Sequence, residues 1–211
     1  MIGLFKRHKR KFKKKSLPVL KDLARVLIID DVQSDLVKPL EREGWKVRQV
    51  RDIDNLGNIQ LRDSQILCID ILGVGKKMSF PNEGLGLVQA IREEYPGKRI
   101  LLYSSVSSHD IFDKAIDLAD RRLPKEGQPY PFIHAVQELA ELAFDWDACV
   151  DDIFVRFRDE IPDGMTQDDF NKRLRKCLNP DGTIDPEKVM KYLLVSVKAA
   201  KSIQGIMSLI P

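Results

Sequence analysis

Asp30, Asp31, Asp70, Ser104 and Lys125 are the residues of this chain whose types, brought together, would do chemistry. Three carboxylates held close repel one another and call for a hard, oxygen-seeking cation; Mg2+ suits two or three protein oxygens with water completing its shell. Such an ion keeps one carboxylate ionised and offsets the charge of an incoming phosphoryl group. Asp70 is the natural nucleophile, because a carboxylate can take a phosphoryl group as an acyl phosphate. Lys125 would pair with one phosphoryl oxygen, and the Ser104 hydroxyl would donate to another.

The elements that must position these groups are legible as short apolar runs. RVLII precedes Asp30 and Asp31, QILCI precedes Asp70, RILLY precedes Ser104 and RRLP precedes Lys125. The runs have strand length and the segments between them carry helical periodicity, which predicts an α/β fold with a parallel sheet covered on both faces. Side chains just past the carboxyl ends of parallel strands converge on one crevice, however far apart they lie in sequence.

Each residue also has a plain reading. Asp30 and Asp31 precede the helical pattern VQSDLVKPLEREG and suit a helix cap. Asp70 would serve as a loop acid, Ser104 and Ser105 as turn residues, and Lys125 as a solvated charge. What sets the chemical reading apart is that all of them occur together and in order.

In that order, the residues resemble the receiver domain of two-component response regulators, over about residues 25–142. RVLIIDD looks like its first strand and acidic pair, LCID like its third strand and phosphoacceptor, EGLGLVQAIR like the start of its third helix, LLYSS like its fourth strand and LPK like its fifth. The resemblance implies a doubly wound, five-stranded parallel sheet of flavodoxin-like form. It implies Asp70 as phosphoacceptor, Ser104 and Lys125 as phosphate contacts, and Mg2+ held by Asp30, Asp31, Asp70 and the Leu72 backbone carbonyl. It also implies a sensor histidine kinase or phosphotransfer protein as partner, and a cytoplasmic signalling protein rather than an enzyme, with at most self-catalysed phosphorylation and dephosphorylation.

The chain departs from that pattern in three places. ILGVGKKMSFPNEG separates Asp70 from Gly84, where the family has a shorter loop with a Met-Pro pair. Lys76 and Lys77 on this loop read as solvated charges with phosphate contact as the alternative; GVGK lacks the glycine spacing and the Ser or Thr of a Walker loop. Three positions before the lysine, where many receivers carry a switching aromatic residue, stands Arg122, and Glu126-Gly127 replaces the proline that commonly follows the lysine.

Composition bounds the rest. With 211 residues, 43% of them hydrophobic, the chain can bury one good core and have a substantial segment left over. Cys68, Cys149 and Cys177 form no metal-binding pattern, and no apolar run approaches the roughly 18 residues of a membrane span. The net charge of +3 becomes −5 once the eight cations at Lys6, Arg7, Lys9, Arg10, Lys11, Lys13, Lys14 and Lys15 are set aside. Residues 1–22 therefore read as a basic, disordered tail. An anionic membrane surface, which would make the protein peripheral, nucleic acid, or solvent alone are its three open partners.

Residues 23–142 read as the receiver unit and 143–211 as a helical extension for oligomerisation or partner docking. Val136, Leu139, Ala143, Trp146, Val150, Ile153 and Phe157 step by three and four, predicting one unbroken helix from Phe132 to Ile161 whose seam would form a homodimer or pack within the chain. Thr166 and Asp169 predict a capping box, and Asp185-Pro186 the start of a last helix running to residue 209. NPDGTIDPE lacks EF-hand spacing and reads as a turn; the long connection and apolar last helix argue against helix-turn-helix DNA binding. Two functions remain: a response regulator phosphorylated on Asp70 that signals through its C-terminal helices, and a phosphorylation-independent adaptor acting by protein or membrane contacts.

Overall fold

The computed structural model describes residues 12–105, 114–208 and 210. Strands β1 (Arg25–Ile29), β2 (Lys46–Val50), β3 (Ile66–Asp70), β4 (Arg99–Ser104) and β5 (Arg121–Pro124) form one parallel sheet in the order β2-β1-β3-β4-β5. Alternation along the central strands divides their side chains between two layers. Val26, Ile28, Ile66, Cys68, Leu101 and Tyr103 face helices α1 (Leu17–Leu23), α2 (Val37–Arg42) and α5 (Pro129–Ala143). Leu27, Ile29, Leu67, Ile69, Ile100 and Leu102 face α3 (Ile59–Asp63) and α4 (Glu83–Glu94). Burial on both faces is why these strands read as continuous apolar runs.

The C-terminal region is helical: α6 (Trp146–Arg156), α7 (Gln167–Lys176), α8 (Pro186–Leu193) and α9 (Val197–Met207) enclose a core of their own around Ile153, Phe170, Leu174, Val189 and Ile203. Thr166 caps α7 as expected, its hydroxyl oxygen accepting from the Asp169 N–H. The module sits against the amino-terminal end of the sheet. Arg99, first residue of β4, pairs with Asp152 of α6 and donates to the Leu142 carbonyl.

Three expectations are corrected. The helix expected from Phe132 to Ile161 breaks at Phe144, because Asp145 adopts extended backbone and its carboxylate caps α6 by accepting from Ala148 N–H at 2.9 Å. The expected seam is consumed on either side of that break: Val136, Leu139 and Ala143 enter the sheet core and Trp146, Val150 and Ile153 the helical core. These seam residues thus pack within the chain, the alternative to a homodimer that the sequence left open. The last helix is two helices, since Leu194 turns left-handed (φ 60°) and Ser196 caps α9. Finally, the expected disordered tail does not extend to residue 22: Leu17–Leu23 are helical, with Pro18 in the first turn and Leu20 buried against the sheet layer. Lys6 to Lys11 of the basic run lie outside the described residues.

Candidate functional site

Asp30 directly follows β1, Asp70 and Ser104 end β3 and β4, and Lys125 directly follows β5. All four lie at the carboxyl edge of the sheet. Asp30, Asp31 and Asp70 each offer a carboxylate oxygen within 4.8 Å of the others. Lys125 Nζ bonds Asp30 Oδ1 at 3.1 Å and also donates to Asp70 Oδ2. The Lys125 N–H donates to the Ser104 carbonyl at 2.8 Å, tying β5 to the end of β4. Ser104 is buried beside this pair. The helix-cap reading of the acidic pair is excluded: α2 begins only at Val37, and Asp30 Oδ1 instead accepts from Val32 N–H at 3.0 Å, closing a tight turn.

Among the described residues, three carboxylates face one ammonium, which leaves the pocket short of positive charge. Burial pushes the Asp70 carboxyl above its ordinary range, with Lys125 pulling the other way and the Asp30 charge adding to the rise. For Lys125, burial opposes the charge, but hydrogen bonds and attraction from Asp70 and Asp30 outweigh it and hold the ammonium above its usual value. A hard divalent cation fits this donor set. The backbone packs tightly around these groups: a Cβ on Gly73 (φ +86°) would stand 2.3 Å from the Asp31 carboxylate, and one on Gly84 would stand 2.1 Å from the Asp70 carbonyl oxygen, so both positions call for glycine. Leu72, the expected carbonyl ligand, follows closely and donates its N–H to Asp70 Oδ1 at 3.3 Å.

The long segment after Asp70 is an ordered loop. Asp52 accepts from the Gly75 N–H at 2.7 Å and the Lys77 N–H at 3.0 Å, Glu83 accepts from Gly73 N–H, and Val74 is buried in the sheet core. Lys76 pairs with Glu83 at 3.5 Å and is largely exposed, which favours the loop-charge reading. Arg122 pairs with Asp117 at the surface. Among the described residues, the aromatic side chain bonded into the pocket is that of Tyr103, one position before Ser104; the Tyr103 hydroxyl donates to Asp30 Oδ2 at 2.9 Å. Sequence reasoning missed Tyr103, Asp52 and Glu83. For Tyr103, the signal was one hydroxyl-bearing side chain in an otherwise apolar strand.

No helix among the described residues is long and apolar enough to cross a membrane. No protein-family model matches the chain, and no curated protein does. Among solved structures, the chain is similar to a response regulator from Thermotoga maritima, at 18% identity with a TM-score of 0.46 over 56% of this chain and 97% of that one. It is similar to the receiver domain of NtrX from Brucella abortus, at 22% identity with a TM-score of 0.46 over 55% and 98%. Response regulator protein TrrA from Thermotoga maritima, solved in complex with Mg2+-BeF, is 21% identical with a TM-score of 0.44 over 55% and 98%.

Proposed function

We propose that this protein is a response regulator whose Asp70 accepts a phosphoryl group in a Mg2+-dependent phosphorelay. The observation that carries the reading is the convergence of Asp30, Asp31 and Asp70 within 4.8 Å, with Lys125 bonded to two of them. Asp31 and Asp70, with Asp30 and the Leu72 carbonyl, would hold Mg2+, which when bound supplies positive charge against the phosphoryl oxygens. An Asp70 carboxylate oxygen attacks phosphorus of a phosphohistidine on a sensor kinase or phosphotransfer protein. The P–N bond breaks, the imidazole leaves with the electron pair and takes up a proton, and an acyl phosphate forms. Lys125 then exchanges its Asp70 contact for a phosphoryl oxygen, and the Ser104 hydroxyl donates to another.

The C-terminal helices are the proposed output. β4 runs from Arg99, paired with Asp152 of α6, to Ser104 in the pocket, and α5 runs from Phe132 beside Tyr103 to the residues flanking Arg99. A signal reaches that module only if phosphate favours one arrangement of these elements over another by a few kcal/mol.

Intact-protein mass after incubation with acetyl phosphate, with and without Mg2+, tests the reading. The natural chain should gain one phosphoryl mass only with Mg2+, and Asp70→Ala should gain none. A natural chain that stays unmodified with this donor and with phosphorylated sensor kinases would leave the phosphorylation-independent adaptor as the better account.

A further inference from the structure

Tyr103 stands between the pocket and the α5 layer and is 1% exposed. Its hydroxyl donates to Asp30 Oδ2 at 2.9 Å, and its ring meets Phe132 of α5 edge-on, with centroids 5.3 Å apart. Lys125 Nζ lies 5.7 Å from the centre of the same ring. Asp30 has no exposed surface, and both its oxygens are engaged: Oδ2 by Tyr103 and Lys125, Oδ1 by the Val32 N–H and Lys125. Asp31 is exposed.

We propose that Tyr103 is a positioning residue of this pocket: its hydroxyl holds the Asp30 carboxylate toward Lys125, making Asp31 and Asp70 the stronger ligands of the cation and Asp30 the weaker, and its ring relays movement of that carboxylate to Phe132 on α5. The inference rests on the Mg2+ and phosphoryl reading of the pocket. Its physical basis is the saturation of buried carboxylates, which keep their oxygens supplied with donors. An Asp30 oxygen already facing a fixed hydroxyl and an ammonium is a weak competitor for a metal. Without the hydroxyl that oxygen is one donor short, and a cation entering the pocket restores the missing partner.

Tyr103→Phe keeps the ring and removes only the donor. Calorimetric Mg2+ titration of the full chain should show the variant binding about tenfold more tightly than the natural protein, the order expected for relieving one unsatisfied buried oxygen. The Phe132 ring 13C resonance should shift when Mg2+ is added to the natural protein and shift less in the variant. Phe132→Leu, which leaves the Tyr103 hydroxyl in place, should retain natural Mg2+ affinity. A folded Tyr103→Phe protein with unchanged or weaker affinity, a Phe132 signal indifferent to Mg2+, or a Phe132→Leu affinity equal to that of Tyr103→Phe would each overturn the proposal. A natural chain that binds no Mg2+ would overturn the pocket reading along with it.

Discussion

The two ends of β4 carry acidic groups in opposite electrostatic conditions. At the amino end, Asp120 meets Arg92 at 2.7 Å and Arg99 at 3.2 Å, and Arg99 also meets Asp152, so each carboxylate has a guanidinium against it. Burial opposes ionisation of Asp120, yet the two arginines hold its carboxyl below the usual range. At the carboxyl end, three carboxylates lie together, two of them share Lys125, and Asp70 is held above that range. In the first cluster every carboxylate has its guanidinium, with Arg99 Nε left as a buried donor without a partner among the described residues, and the cluster joins two cores. The second carries more negative than positive charge, the imbalance on which the proposed Mg2+ site rests.

Removing a carboxylate should therefore have opposite effects at the two ends. Asp120→Ala strips the buried Arg92 of its carboxylate and Arg99 of one of its two, and should destabilise the protein by about 3 to 5 kcal/mol in denaturant unfolding, while Mg2+ binding by the folded fraction is retained. The Asp120 contribution is present above the ordinary aspartate value near pH 3.9 and is lost as pH falls through its lower folded value. Asp70→Asn should instead raise the thermal midpoint at neutral pH and weaken Mg2+ binding by more than about tenfold. Because the folded Asp70 value is raised, that stability gain should be full above it and fade as pH falls toward about 3.9, where the natural carboxyl is also neutral. A midpoint that drops for Asp70→Asn at neutral pH would erase the contrast. The smallest effect should come from Asp145→Ala, which removes the cap between the sheet unit and the helical module: about 1 kcal/mol in the same unfolding measurement, with Mg2+ affinity unchanged.

The pocket was readable because parallel-sheet topology delivers strand-end residues to one edge, so the order of Asp30, Asp70, Ser104 and Lys125 in sequence stood in for their positions in space. The amino-end cluster had no such shorthand. Arg92, Arg99, Asp120 and Asp152 lie on α4, β4, the turn before β5 and α6, and nothing local in the sequence distinguishes them from surface charges. The division of the supposed long helix was hidden for another reason: the spacing of Val136, Leu139, Ala143, Trp146 and Val150 runs through the break without a fault. Only the cap at Asp145 declares it. For α1, Ser16 and Pro18 announced a helix start, but the lysine run beside them dominated the reading.

Phe12 stacks on Trp146 with ring centroids 4.2 Å apart, and Arg175 covers both rings. During synthesis Phe12 leaves the ribosome long before either partner exists. The sheet unit, whose strands all precede Trp146, can form while the lysines after Phe12 are still undocked. Seating of Phe12 is then a step that waits for α7, and it ties a segment ahead of the sheet unit to the helical module that follows that unit.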